Sequence, residues 1–554
     1  MNPALLAGLQ IATVIVVLAA VYVPLGDYMA RVYTRTRDSS VERILYRIAR
    51  VDPESEQTWV GYTMSLLGFS FAGVVLLFVL QRIQGVLPLN DGLSGVSPAM
   101  AFNTAASFVT NTNWQSYVPE TTMSNLTQPL GLAVQNFLSA AVGIAVAIAV
   151  IRGFVRVSTG GELGNFWVDL IRGTLRILLP LSLLVAIILL TQGVVMSLSS
   201  GFVSTGLDGQ TVTNALAPVA SQEAIKEIGT NGGGILAANS AHPFENPTPL
   251  SNVVEIISLL LIPVALTRTF GTMIGNRKQG LTLLAVMATL WATMLAVTLF
   301  AESRTRGVAA TAAGAMMEGK EVRFGIPGSV LFAVSTTGTS TGAVNSAHDS
   351  MSALGGGTVL LNMLFGEIAP GGVGTGLYGL LVLAVVAVFV GGLLVGRTPE
   401  FLGKKLGRRA ITMAALSVLV MPILVLVGTS VTVLLKSTTG YQGNPGIHGF
   451  TEVLYAYASA SNNNGSAFGG LTVTSDWFQI SLGVAMLLGR FLPIVFVLAL
   501  AGSLATTKRS APNAGTLPTD GPLFAALLIG TSILVAALTF FPALALGPIA
   551  EAMQ

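Results

Sequence analysis

The sequence predicts an all-α polytopic membrane protein of about ten transmembrane helices, with four outer connections that fold back into the membrane as pore loops. Three observations carry this. Only 10% of the 554 residues are charged and 52% are hydrophobic, against about 25% charged in soluble domains. Apolar runs of roughly 20 residues, long enough to span a ~30 Å hydrocarbon core, fall near 4–25, 61–82, 130–151, 174–195, 251–270, 280–301, 374–396, 410–435, 478–502 and 521–547. Between them lie four uncharged stretches rich in hydroxyl, amide and glycine residues: Thr110 to Tyr117, Gly229 to Asn239, Ser335 to Asn345 and Ser461 to Gly470.

Several functional classes drop out on composition. The chain has no cysteine, which removes disulfides, thiol catalysis and Cys-based metal sites. His242, His348 and His448 are too dispersed to suggest zinc, and a net charge of +3 is too small and scattered for a nucleic-acid partner. Residues 4–25 lack a basic start and a small-residue cleavage site, so they read as a retained transmembrane helix.

Basic residues set the orientation. One side carries Arg31, Arg35, Arg37, Arg43, Arg47 and Arg50, then Arg152, Arg156, Arg172 and Arg176, then Arg268, Arg277 and Lys278, and later Arg397, Lys404, Lys405, Arg408, Arg409, Lys508 and Arg509. The other side holds only Arg82, Lys226, Arg304, Arg306, Lys320, Arg323 and Lys436. The first side is therefore read as cytoplasmic, and both termini as extracytoplasmic.

With that orientation all four polar loops lie outside, spaced about evenly along the chain, as a fourfold repeat of span, re-entrant loop and span would require. A short helix-compatible segment precedes each: Pro98 to Val109, Pro218 to Ile228, Pro327 to Ser335 and Phe450 to Ala460. About ten helical residues rise ~15 Å, enough to enter a bilayer but not to cross it. Each would point the negative end of its dipole at a common axis. Irregular backbone is tolerated at that depth only where it lines a cavity or is packed in protein. The loops offer carbonyls and hydroxyls, hard donors suited to an alkali cation. Candidate ligands are Thr112, Asn113 and Gln115 in the first loop, Thr230, Asn231 and Gly232 in the second, Ser340, Thr341 and Gly342 in the third, and Asn464, Gly465 and Ser466 in the fourth. Glycine turns a carbonyl inward through positive φ without steric penalty. The first loop has no glycine, so Asn113 or Gln115 has to help with a side-chain amide.

The strings Thr110-Asn-Thr-Asn-Trp-Gln, Ala238-Asn-Ser-Ala-His-Pro-Phe-Glu-Asn-Pro-Thr, Gly366-Glu-Ile-Ala-Pro-Gly-Gly-Val-Gly, Gly396-Arg-Thr-Pro-Glu-Phe-Leu-Gly-Lys-Lys and Ala460-Ser-Asn-Asn-Asn-Gly-Ser-Ala-Phe resemble the potassium-binding A subunit of the Kdp-type potassium-transporting ATPase, essentially end to end. The resemblance implies a potassium-channel-like fold in the bacterial inner membrane, with one span added at each end. It implies filter residues at Gln115, Gly232, Gly342 and Gly465, and K+ as the bound substrate ion, with no cofactor. The implied partners are a P-type ATPase B subunit that hydrolyses ATP, a small C subunit and often a single-span F peptide.

Two charged residues stand out against the apolar spans. Arg490 lies well inside the span that begins near 478, and a buried arginine in a membrane is costly. It either pairs structurally or places a fixed positive charge in the cavity below the filter. Glu367 sits where glycines and Pro370 interrupt the second span of the third repeat. It marks either a gate at membrane depth or a loop reaching the inner surface. The resemblance favours the cavity role for Arg490 and implies a sideways exit past the broken helix.

Gly374-Thr-Gly-Leu-Tyr-Gly fits a dinucleotide pattern, but no strand precedes it. The sequence also lacks a phosphate-binding Gly-x4-Gly-Lys-Ser/Thr loop and an Asp-Lys-Thr-Gly string, so the chain is not expected to hydrolyse ATP by itself. The expected units are 1–58 (first helix and basic inner loop), 59–160, 161–278, 279–408 and 409–510 (repeats 1 to 4), and 511–554 (last helix). A gradient-driven Trk- or Ktr-type potassium uptake subunit is the alternative within transport; it would share the loops but not the quoted strings. A membrane enzyme would need convergent His, Asp or Glu within the spans, which the sequence does not offer.

Overall fold

A computed structural model describes residues 3–35, 37–199, 201–304, 316–394, 396–510 and 516–554. Arg306, the middle of the outer loop 302–324 and residues 511–515 of the inner linker lie outside the described residues. Among the described residues, ten helices are long and apolar enough to cross a membrane: Leu5–Thr34, Trp59–Val86, Gln128–Val155, Phe166–Thr191, Pro249–Met273, Arg277–Glu302, Thr375–Leu394, Arg408–Leu434, Asp476–Ala505 and Pro522–Leu546. Every expected apolar run is matched. The first helix continues beyond residue 25 as far as Thr34, and Arg31 in its last turn is exposed. Among the described residues, strands are confined to three two-stranded antiparallel pairs in the connections.

The spans sort into two rings by burial. The second helix of each repeat is the more buried, with 89%, 67%, 67% and 56% of its apolar window inside the protein, against 22%, 33%, 39% and 28% for the first helices. Composition explains this in repeat 1, where Ala140, Ala141, Gly143, Ala145, Ala147 and Ala149 let neighbouring backbones approach closely. A Cβ on Gly143 would strike the Val373 carbonyl, and one on Gly153 would lie 2.7 Å from that of Ala501. The first span, 11% buried, is peripheral and packs on Pro249–Met273 through the Asp27–Arg268 pair, two bonds of 2.8 Å.

Four short helices enter between first and second spans: Pro98–Val109, Val219–Ile228, Gly325–Gly338 and Gly446–Asn462. The last two begin earlier than their proline and aromatic signals suggest. Gly325, at φ +64°, starts the third, and Gly446, at φ +71° just after Pro445, starts the fourth. The second span of the third repeat is broken: Ala353–Leu364 ends at mid-depth and Thr375–Leu394 resumes it.

Candidate cation-binding site

Each of the four short helices ends in the same local structure. A residue at the end of each takes left-handed φ: Asn111 at +67°, Thr230 at +46° and Ser340 at +53°, each just after the cap, and Asn463 at +60°, the cap itself. The next residue donates its N–H back to the carbonyl five residues earlier. These bonds are Thr112 to Ser107 (2.9 Å), Asn231 to Lys226 (2.9 Å), Thr341 to Thr336 (3.2 Å) and Asn464 to Ser459 (2.9 Å). This is a Schellman-type end, in which the last helical carbonyls find donors within the turn. Threonine, serine and asparagine occupy a position that glycine usually takes.

Positive φ then returns two residues on, at Asn113 (+54°), Gly232 (+83°), Gly342 (+74°) and Gly465 (+107°). Alternating handedness brings successive carbonyls toward one side, where a uniform strand would alternate them. The carbonyls of Thr112, Asn113, Asn231, Gly232, Thr341, Gly342, Asn464 and Gly465 accept no hydrogen bond among the described residues. Buried backbone carbonyls are almost always paired, so this set is prepared for another partner.

The loops stand side by side in a closed order. A Cβ on Gly232 would run into the Thr341 carbonyl, one on Gly342 into that of Asn464, and one on Gly465 into that of Thr112. Gly233 closes the circle, its Cβ position 3.0 Å from the Asn113 carbonyl oxygen. Amides lace the loops together. Asn111 Nδ2 donates to the Thr230 carbonyl (2.8 Å), Asn463 Nδ2 to Thr112 Oγ1 (3.0 Å) and Asn464 Nδ2 to the Thr336 carbonyl (3.1 Å).

The side chains expected as ligands serve the frame. Thr112 and Thr341 hydroxyls bond those of Thr110 (2.7 Å) and Thr339 (2.6 Å). Ser466 Oγ meets Asn464 Oδ1 (2.6 Å) and Tyr455 Oη (2.9 Å). Gln115 stands two residues beyond the ring and donates to the Gly234 carbonyl (2.9 Å); Asn113 occupies the register position that glycine holds in the other loops. Asn113 Nδ2 donates to Asn136 Oδ1 (2.7 Å), while the Oδ1 atoms of Asn113 and Asn231 are buried without a partner among the described residues.

The broken helix lies against this ring. Gly371 N donates to the Gly338 carbonyl (2.7 Å), and Val373 N to Thr230 Oγ1 (2.9 Å). Gly366, Glu367, Gly371 and Gly374 all have positive φ, which removes helical hydrogen bonding at a depth where backbone must be packed in protein. Glu367 is 2% exposed and neither carboxylate oxygen has a hydrogen-bond partner among the described residues. It does not reach the protein surface. Ser340, Asn464 and Arg490 are its polar neighbours.

Arg490 is 4% exposed and makes no ion pair among the described residues. It lines a cavity of about 140 Å³ with Ser340, Gly366, Ile368, Thr375, Asn463 and residues of the last span, Ser532 and Ala536. The Gly143 Cβ position lies 3.2 Å from its Nη2, which sets the guanidinium beside the interruption.

Sequence reasoning missed Asn111, Asn463, Asn136, Ser139 and the buried group around Lys226. The first two were legible in principle, because each stands two residues before the glycine position in its loop.

Residues 12–553 match the family model described as potassium-transporting ATPase A subunit. A Rhodococcus erythropolis relative is 77% identical over 561 residues, and one from Streptomyces coelicolor is 56% identical over 555; each comparison covers 100% of both chains. Both are named potassium-transporting ATPase potassium-binding subunit. Among solved structures, the potassium transporter TrkH from Vibrio parahaemolyticus has a TM-score of 0.52 at 14% identity, covering 80% of this chain and 85% of that one, a likeness of fold. The chain belongs to the potassium-transporting ATPase A subunit family.

Proposed function

We propose that this chain is the potassium-selective, ion-translocating subunit of an ATP-driven uptake pump. The carrying observation is the closed ring of four loops with unbonded carbonyls. A dehydrating K+ exchanges its water shell for fixed carbonyl dipoles, and four helix ends direct partial negative charge to the same axis. Loops braced by buried amides hold the ring's size, and that favours one cation radius over another.

Below the ring the interruption at 366–374 blocks a straight path. The ion then turns toward the cavity beside Arg490, whose fixed charge opposes a cation moving directly inward. Glu367, between Ser340 and Arg490, serves as the gate that receives it. Hydrolysis belongs to a P-type ATPase B subunit, with a small C subunit and a single-span F peptide completing the complex. The setting is a bacterial inner membrane with both termini outside.

The potassium transporter TrkH shares this fold, and a gradient-driven uptake subunit is the alternative reading, but relatives at 77% identity carry the ATPase-subunit name. The discriminating experiment compares the isolated chain with the assembled complex. The isolated chain shows no ATPase activity and the complex shows potassium-stimulated hydrolysis. Potassium uptake by the isolated chain driven by a membrane potential alone would overturn the pump reading.

A further inference from the structure

The second loop continues into Asn239-Ser-Ala-His-Pro-Phe-Glu-Asn, a string that the ring does not use. It wraps around Lys226, in the last turn of the second short helix, whose side chain is fully buried. The two ends of this residue hold the same loop. Its carbonyl accepts from Asn231 N (2.9 Å). Its ammonium donates to Asn239 Oδ1, Ser240 Oγ and Glu245 Oε2, each at 3.1 Å, and pairs with Glu223 at 2.6 Å.

Asn239 in turn joins two loops of the ring. Its Nδ2 donates to the Gly233 carbonyl in the second loop, and its Oδ1 accepts Val344 N of the third at 3.1 Å. Glu245 Oε1 accepts Ile235 N (3.1 Å) and Leu236 N (2.9 Å), which fixes the strand between. The other three seams of the ring are closed by the loops' own Asn111, Asn463 and Asn464. At the seam between loops two and three, Asn239 supplies the side-chain hydrogen bond found among the described residues, and Lys226 orients it. A buried ammonium amid carboxylates does not leave its place cheaply, because removing one partner strands the others in low dielectric.

We propose that Lys226 and Asn239 are positioning residues that set the second loop against the third and thereby the ring's preference among alkali cations. The inference rests on the reading of the ring as the ion filter. Neither side chain is a ligand: each acts through the Gly233 and Val344 peptides.

The test uses the assembled, purified complex with Asn239→Ala, Lys226→Met and Gly232→Ala, reading ATPase stimulation against K+, Rb+ and Na+. Asn239→Ala is the deciding variant should Lys226→Met not assemble. For Asn239→Ala and Lys226→Met the expected result is a rise of about tenfold or more in half-saturating K+ and a narrowed K+/Rb+ preference, with the maximal rate within about twofold of wild type; Gly232→Ala serves as the filter control and is read for affinity and ion order alone. A purely structural role would instead lower the yield and the maximal rate with half-saturation and ion order unchanged, and that result overturns the proposal. If Gly232→Ala shifts affinity and Asn239→Ala does not, the positioning role falls and the filter stands. If both leave affinity and ion order unchanged, the filter reading falls too.

Discussion

Replacing Gly342 by alanine puts the ring under a strain that can be worked from the structure. Its φ is +74°, where an L-residue costs about 1–2 kcal/mol. The new Cβ would also run into the Asn464 carbonyl and lie 2.8 Å from Gly465 Cα. Both obstacles are backbone, so no side chain can swing aside. The cheapest relief turns the Gly342 peptide, which withdraws one carbonyl from the axis and pushes the fourth loop outward. At about 1.4 kcal/mol per tenfold in binding, half-saturating K+ should rise by an order of magnitude or more, and rubidium and sodium should be ranked differently. Assembly should persist, because the transmembrane packing lies elsewhere. Serine at 342 should be milder than aspartate, whose charge attracts cations without selecting their size. The assay is ATPase activity of the purified complex against K+, Rb+ and Na+. Unchanged half-saturation and ion order would refute the reasoning.

Two further outcomes follow from charged groups. Arg490→Gln removes from the cavity wall a positive charge that forms no ion pair among the described residues; the complex should assemble but hydrolyse ATP with weaker coupling to transport or poorer discrimination against sodium, and wild-type values for both would contradict the cavity role. His448, in the first turn of the fourth short helix, bonds Asp349 (2.9 Å) and Glu551 (2.8 Å), and these carboxylates raise its pKa to about 9. A raised pKa means that its stabilisation is complete below the ordinary value of about 6.5 and is lost as pH climbs through about 9. The Tm gap between wild type and His448→Gln should therefore shrink from pH 6.5 to pH 10; a gap independent of pH would remove the ion pair from the account.

The spans were legible because hydropathy over some twenty residues is a local property, and even the interruption near Glu367 announced itself through Gly366, Pro370, Gly371 and Gly372. The inner and outer rings were less so. Both kinds of helix are apolar, and only the small-residue surface of Gln128–Val155 hints at central packing. At the site, glycine flagged three of the four loops. In the first, where Asn113 and Gln115 were both candidates, Asn113 takes up positive φ without being glycine, a conformation its short amide tolerates. The hydroxyls expected as ligands also have partners that spacing alone does not show: Thr112 and Thr341 each bond another threonine two residues back. Lys226 read as one outer-side charge among several, because contacts with Asn239 and Glu245 appear only when the chain after the loop folds back over the helix.

The central claim is that one potassium-sized cation sits among the four loops, held by backbone carbonyls. Crystals of the complex grown in rubidium, measured at the rubidium absorption edge, test it directly. The account predicts an anomalous peak on the common axis, bounded by the carbonyls of Thr112, Asn231, Thr341 and Asn464 and of the residues that follow them. A ring without a peak, with rubidium bound only in the cavity beside Arg490 or elsewhere, would contradict it.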